Sequence, residues 1–277
     1  MIGLTLVGFG TSTPELIASI EAALLDSPGI ALGNVVGSNV ANAFLILGVG
    51  AAIAPIRTTR AAFMRDGPVL LGVALLMAAA CQLAVLGRGI GAIFVLLLLG
   101  YVAWTYRTER SAGGAAAALR AAEAEAVPST SLGRGLVLTL AGFAAVLLGA
   151  TLLVDAAIAI ARLWGVSEAV IGVTLVAVGT SLPELATTLA AAGRRRTDVA
   201  FGNVVGSNIF NILGIAGAAA LVRPLAVPPP IAHLHVWVVL ASTVLLVLFA
   251  TTGWRIGRRE GGALLLAYAA YVAVALA

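Results

Sequence analysis

Two carboxylates recur in matching company along the 277-residue chain. Glu15 lies three and four residues beyond Ser12 and Thr11 in "GTSTPE", and Glu184 stands in the same relation to Ser181 and Thr180 in "GTSLPE". At helical spacing each carboxylate shares a face with its hydroxyls. Further on, Ser38 and Asn42 are four residues apart, and Ser207 and Asn211 repeat that pair. The set offers two carboxylates, several hydroxyls and two amides, with no thiol or imidazole near them in sequence. All are hard oxygen ligands. They suit Ca2+, which takes roughly six to eight oxygens in flexible geometry, and also Na+, but not zinc or copper.

The helices that position these groups must be broken. In each motif the proline lacks an amide hydrogen and disfavours helical geometry at the preceding residue, while Gly10 and Gly179 add backbone freedom. Opening the helix frees carbonyls of about residues 8 to 11 and 177 to 180, which then need other partners. A lipid-facing break would leave them unsatisfied, so they must face protein, water or an ion.

The surrounding sequence is that of a membrane. Hydrophobic residues make up 61% of the chain and charged residues 10%, far from soluble usage. Apolar stretches long enough to cross a bilayer run continuously rather than alternating, which excludes a transmembrane barrel and predicts an all-α polytopic protein. Nine spans are expected, near 2–24, 30–53, 67–87, 89–107, 134–161, 167–192, 199–222, 234–252 and 260–277. One long polar connection, Thr108 to Ser131, separates a first unit, 1–107, from a second, 133–277, with 108–132 as a cytoplasmic linker. Alternate loops carry 13 of the 16 arginines, leaving Arg88, Arg162 and Arg223 on the other side. The positive-inside rule puts the arginine-rich side in the cytoplasm, and "RRRTD" is a topology signal rather than a nucleic-acid patch.

Aligning Gly3 with Gly172, an offset of 169, compares the chain with itself without a gap as far as Asn42 and Asn211. About half of the aligned positions are identical, and identity concentrates in glycine and polar positions. The first copy runs outward through Glu15 and the second inward through Glu184, so the repeats are inverted. Proteins built this way place substrate at the midplane, where broken helices of the two halves meet. Two ionised glutamates there would be costly, and a divalent cation, sodium ions or protons would neutralise them.

Other residues read more plainly. The glycines of "GNVVGSN" allow close helix packing, and Asn34, Asn39, Asn203 and Asn208 are expected to bridge helices rather than bind ions. Glu21 and Asp155 lie near the outer ends of spans and face headgroup water. His233 and His235 follow "PPP" in an expected external loop and are too few for a metal site. Cys81, the single cysteine, is expected to pack. "GFG" lacks the lysine of a phosphate loop, and no serine has a paired base, so the chain is not read as an enzyme.

"GTSTPE…GNVVGSNVAN" and "GTSLPE…GNVVGSNIFN" resemble the paired alpha repeats of the calcium/cation antiporter superfamily, most closely its prokaryotic sodium/calcium exchanger branch. The resemblance implies ten helices in two inverted sets of five, exchanging cytoplasmic Ca2+ for external Na+ by alternating access. Carried over by position, Glu15 and Glu184 would bind Ca2+ and share sodium sites, and Thr11 and Thr180 would add backbone oxygens. Ser12, Ser38, Ser181 and Ser207 would ligate sodium, Asn42 and Asn211 would line the centre, and carbonyls of Gly8 and Ala177 would contribute. Some prokaryotic members carry aspartate where Asn211 stands, which bears on stoichiometry and proton coupling.

The ions are cargo, and no resident cofactor is expected. Ca2+/H+ exchange and a non-transporting membrane scaffold are the alternatives. The setting is a multi-pass protein of a prokaryotic plasma (inner) membrane. The second unit has a long apolar span, Gly133 to Gly165, before its motif, while the first has only Met1 and Ile2 before Gly3. A matching first helix is therefore expected upstream of Met1.

Overall fold

A computed structural model describes residues 9–58, 60–111, 132–194 and 197–277. After Phe9 the chain forms α1 (Thr13–Leu24), α2 (Pro28–Ile53), α3 (Arg60–Ala80) and α4 (Arg88–Ser111). The second half supplies α5 (Leu132–Trp164), the bent pair α6 (Glu168–Thr180) and α7 (Leu182–Gly193), α8 (Val199–Val222), α9 (Ile231–Thr251) and α10 (Arg258–Leu276). Among the described residues seven helices are long and apolar enough to cross a membrane, and the bent α6–α7 pair makes an eighth. The remaining expected span, 2–24, lies partly outside the described residues and is seen as α1. The expected linker, 108–132, falls mostly outside them as well; its first residues continue α4.

The 169-residue offset carries well beyond the motifs. It maps α1 onto α7, α2 onto α8 and α3 onto α9, and with one extra residue it maps α4 onto α10. Four two-residue strands follow the same relation: β1 (Ile56–Arg57), β2 (Val85–Leu86), β3 (Leu225–Ala226) and β4 (Arg255–Ile256). Each antiparallel ladder takes one strand from each half, β1 with β4 (Ile56 opposite Ile256) and β2 with β3 (Leu86 opposite Leu225).

The halves also exchange helices. Gly261 of α10 fits against α2, where an added Cβ would lie 2.9 Å from the Gly48 carbonyl, and Gly91 of α4 fits against α8, 2.7 Å from the Gly217 carbonyl. Arginines close these crossings. Arg258 donates to the carbonyl of Ile53 at the end of α2, and Arg88 donates to those of Leu221 and Val222 at the end of α8. Each cation thereby meets a helix C-terminus, where free carbonyls and the helix dipole favour it. Arg223 does the same for Leu24 of α1 and pairs with Asp26 at 2.8 Å. Two of the three arginines expected on the outer side are thus helix caps. Because α1 and α8 end side by side there, while α7 ends at the opposite, arginine-rich end, α1 and α7 run in opposite directions.

Two expectations need correction. α3 starts at Arg60 rather than near 67, because Arg65 and Asp66 neutralise each other through paired hydrogen bonds of 2.6 and 2.7 Å and Tyr101 donates to Asp66. Charge and the Gly67–Pro68 step therefore do not end the helix. His233 and His235 are not in a loop: they lie in the wide first turn of α9, Ile231–His235, and His235 is buried against the Tyr271 hydroxyl at 3.1 Å. His235 is the 169-residue counterpart of Asp66, so each half ties its third and fourth helices through a tyrosine. Cys81 is buried and free, as expected.

Candidate cation site

The two motif breaks have nearly the same backbone. Ser12 has φ −84°, ψ 12° and Ser181 φ −83°, ψ 8°, each preceding a helix with proline in its first two positions. At the second break the axes of α6 and α7 differ by 46°. The broken ends bring residues of opposite halves together. Ser12 Oγ donates to Glu184 Oε1 at 2.6 Å, and Ser181 Oγ donates to Glu15 Oε1 at 2.9 Å. Both glutamates are 0% exposed. Thr11 also hydrogen-bonds the Glu184 carboxyl, and Ser207 Oγ donates to Glu184 Oε1 at 3.4 Å.

α2 and α8 bring in the amides. Both helices widen into π-helical turns at their middle, Ala41–Ile46 and Asn211–Ala216, a distortion that often marks functional positions. Asn42 and Asn211 sit in these turns and are fully buried. Asn42 Nδ2 donates to Asn208 Oδ1 at 3.0 Å, and Asn208 Nδ2 donates to the Asn39 carbonyl at 3.4 Å. Asn208 therefore bridges helices as expected, whereas Asn39 Nδ2 donates within its own helix, to Val35. Asn34 bridges most: its Nδ2 donates to the Glu15 carbonyl (3.1 Å) and Ser19 Oγ (2.9 Å), and its Oδ1 accepts from Thr180 (3.0 Å) and Ser38 (3.4 Å). Asn203, expected to bridge likewise, has neither side-chain atom paired among the described residues.

The α2 glycines expected to permit close approach do so. An added Cβ on Gly33 would lie 2.9 Å from Gly172 Cα, and one on Gly37 would lie 2.6 Å from Val173 Cα. Small residues are what let two backbones meet inside a membrane. Here they hold α2 against the second half's broken helix and bring Asn34 within reach of Thr180.

What remains unpaired defines what the centre can do. Glu15 Oε2, Glu184 Oε2, Asn42 Oδ1 and Asn211 Oδ1 are buried with no hydrogen-bond partner among the described residues. A buried unpaired polar oxygen carries its full desolvation penalty, so such a group of oxygens is stabilised by a cation. Among the described residues no cluster of three or more His, Cys, Asp or Glu exists, which keeps the anionic count at the two glutamates. The Ala177 carbonyl, expected to be free, accepts from Ser181 N at 3.1 Å and from Thr180 Oγ1 at 3.4 Å; Gly8 lies outside the described residues.

Inverted halves that each bring one carboxylate to a buried, oxygen-lined centre belong to the class of inverted-repeat membrane transporters. The family pattern described as "Sodium/calcium exchanger protein" matches residues 1–107 and 134–277, and the chain belongs to that family. It is 37% identical over 324 residues to the sodium/calcium exchanger MaX1 of Methanosarcina acetivorans, covering 99% of this chain and 88% of that protein. It is 33% identical over 268 residues to the inner membrane protein YrbG of Escherichia coli, covering 94% and 80%. The structure of the sodium-calcium exchanger NCX_Mj soaked with 10 mM Na+ and 10 mM Sr2+ matches with a TM-score of 0.73 at 34% identity, covering 98% of this chain and 85% of that one. The protein is an integral membrane cation/Ca2+ exchanger of the prokaryotic branch of the calcium/cation antiporters, not an enzyme.

Proposed function

We propose that the protein exchanges Ca2+ for Na+ by alternating access, with the ions bound where the broken helices meet. The observation that carries this reading is the crossed pairing of Ser12 with Glu184 and Ser181 with Glu15, which leaves one unpaired oxygen on each buried carboxylate. Ca2+ bridges Glu15 and Glu184, and one divalent ion cancels both charges. Asn42 and Asn211 add neutral oxygens beside it. Na+ uses the same carboxylates with hydroxyls of Ser12, Ser181, Ser38 and Ser207 and the backbone near Thr11 and Thr180. Because Na+ and Ca2+ share the carboxylates, one displaces the other, and a neutralised centre can change the side to which it opens at lower electrostatic cost.

The test uses the full chain in proteoliposomes loaded with Ca2+. An imposed sodium gradient is expected to drive Ca2+ movement, and a pH gradient of equal size without sodium is not. Movement driven by the pH gradient alone would replace the sodium reading with Ca2+/H+ exchange, and movement under neither would leave a scaffold.

A further inference from the structure

The identical segments "GNVVGSN" of α2 and α8 are in opposite states. In the first, every polar atom of the Asn34 side chain is engaged, and the residue ties α2 to α1 (Glu15 carbonyl and Ser19) and to α6 (Thr180). In the second, Asn203 is equally buried, at 0% exposure, and neither its Nδ2 nor its Oδ1 has a partner among the described residues. The hydroxyl beneath each asparagine follows suit. Ser19 accepts from Asn34 and donates to the Ala31 carbonyl, whereas its counterpart Thr188, also 0% exposed, has an unpaired Oγ1.

The motif hydroxyls are divided in the same way. Thr180 and Ser38 donate to Asn34, while their counterparts Thr11 and Ser207 engage the Glu184 carboxyl. Glu15 takes the Ser181 hydroxyl. Position gives each asparagine a side. Ser19 and Asn34 lie one helical turn from Glu15 and Ser38 toward the end where α1 meets Arg223, the outer face. Thr188 and Asn203 lie one turn from Glu184 and Ser207 toward the arginine-rich cytoplasmic face.

We propose that Asn34 and Asn203 are reciprocal positioning residues, of which the engaged one closes the passage on its own side and withholds two hydroxyls from its own half's carboxylate. In the state described here Asn34 is engaged: the outer polar path is tied shut, and Glu184 holds the hydroxyls. By the pseudo-two-fold relation of the halves, the opposite state engages Asn203 with Thr188, the Glu184 carbonyl, Thr11 and Ser207, and releases Thr180 and Ser38 to Glu15. An unpaired buried amide is costly, and an asparagine that is satisfied in alternate states accounts for keeping the group at both positions. The inference rests on the exchange reading for its transport consequence, but its structural core does not depend on which ions move.

The test pairs Asn34→Ala with Asn203→Ala in the full chain, reconstituted in one orientation. Apparent affinity at a face scales with the fraction of protein open to it. Asn34→Ala is expected to lower the Ca2+ KM at the outer face and raise it at the cytoplasmic face, and Asn203→Ala to do the reverse, each by about tenfold, as the loss of two hydrogen bonds across moving helices implies. A second readout needs no transport. In a Cys81→Ser background, the Ala22→Cys and Ala191→Cys variants are probed with a membrane-impermeant maleimide from the outer and the cytoplasmic side. Asn34→Ala should speed labelling of the Ala22→Cys variant, and Asn203→Ala that of the Ala191→Cys variant. Shifts of the same sign in both asparagine variants, or folded variants with neither KM nor labelling changed, would overturn the proposal. If the wild type moves no Ca2+, the exchange reading fails and the labelling pattern alone decides this one.

Discussion

The two halves share their site residues and differ in what those residues do. Ser12 and Ser181 make the same crossed bond to the opposite glutamate, with nearly the same backbone angles at the break. Away from those serines the symmetry fails. Asn34 and Ser19 of the first half are fully paired, while Asn203 and Thr188 have no side-chain partner among the described residues, and Asn42 keeps one bond through its Nδ2 that Asn211 lacks. A centre that holds cargo needs both carboxylates available, and each is fully buried, takes the crossed serine bond and keeps one oxygen unpaired. A centre that opens to one side at a time needs its flanks unlike, and the asymmetry is sharpest on the flanks, at Asn34 against Asn203 and Ser19 against Thr188.

The largest expected effect tests the symmetric part. Glu15→Gln and Glu184→Gln keep shape and remove charge, and each should cut Ca2+ exchange at least about hundredfold, since a carboxylate–cation contact in a dry site exceeds about 3 kcal/mol. Both variants should stay folded by gel filtration. Wild-type uptake by either would remove the site assignment.

A smaller effect probes the asymmetric flank. Thr188 has a methyl that Ser19 lacks, and Gly50 lacks the Cβ that its counterpart Ala219 carries; an added Cβ at Gly50 would lie 2.9 Å from Thr188 Cγ2. The Thr188 methyl thus takes the space that a Cβ at position 50 would need. Gly50→Ala should destabilise the protein by about 1–3 kcal/mol through overpacking. Adding Thr188→Ser, which removes the facing methyl, should recover most of the lost melting temperature. Absence of coupling between the two substitutions would contradict the geometry.

The smallest effect separates two equivalent serines. Ser207 touches Glu184 and Ser38 touches Asn34. Both serine-to-alanine changes should weaken sodium dependence more than Ca2+ binding, because Ca2+ keeps both carboxylates. Ser207→Ala should raise the sodium concentration for half-maximal exchange severalfold, and by more than Ser38→Ala, as the loss of a hydroxyl bond to a charged group implies. Equal shifts in the two variants would argue that the serines exchange partners faster than transport.

Much of this was legible in the residues. The proline and glycine of each motif dictated a broken helix, the offset of 169 dictated inverted halves, and carboxylate with hydroxyl at helical spacing dictated a hard-cation centre. The crossing of Ser12 to Glu184 was not readable, because spacing reports neighbours on one helix and says nothing of the facing helix. The opposed states of Asn34 and Asn203 were beyond sequence altogether, since "GNVVGSN" is the same string in both halves and only its surroundings differ. The exchanged packing of α4 and α10 depends on Gly91 and Gly261, which lie outside the recognisable motifs; a glycine facing a glycine at the repeat offset, Gly48 and Gly217, was the available signal. Helix α3 was placed seven residues late because a salt-bridged Arg65–Asp66 pair reads in sequence as two charges.

The exchanged fourth helices set the order in which the protein can be made. Gly48 and the end of α2 are covered by α10, and the bond from Arg258 to Ile53 joins residues 205 apart. The ladder of β1 with β4 closes over a similar separation, Ile56 pairing with Ile256. The first half therefore enters the bilayer with one flank of α2 bare to lipid and its last carbonyls uncapped, and stays so until α10 has been made. Any chain stopped before Arg258 leaves the damage in the half that was finished first, where quality-control proteases acting on the membrane would find it.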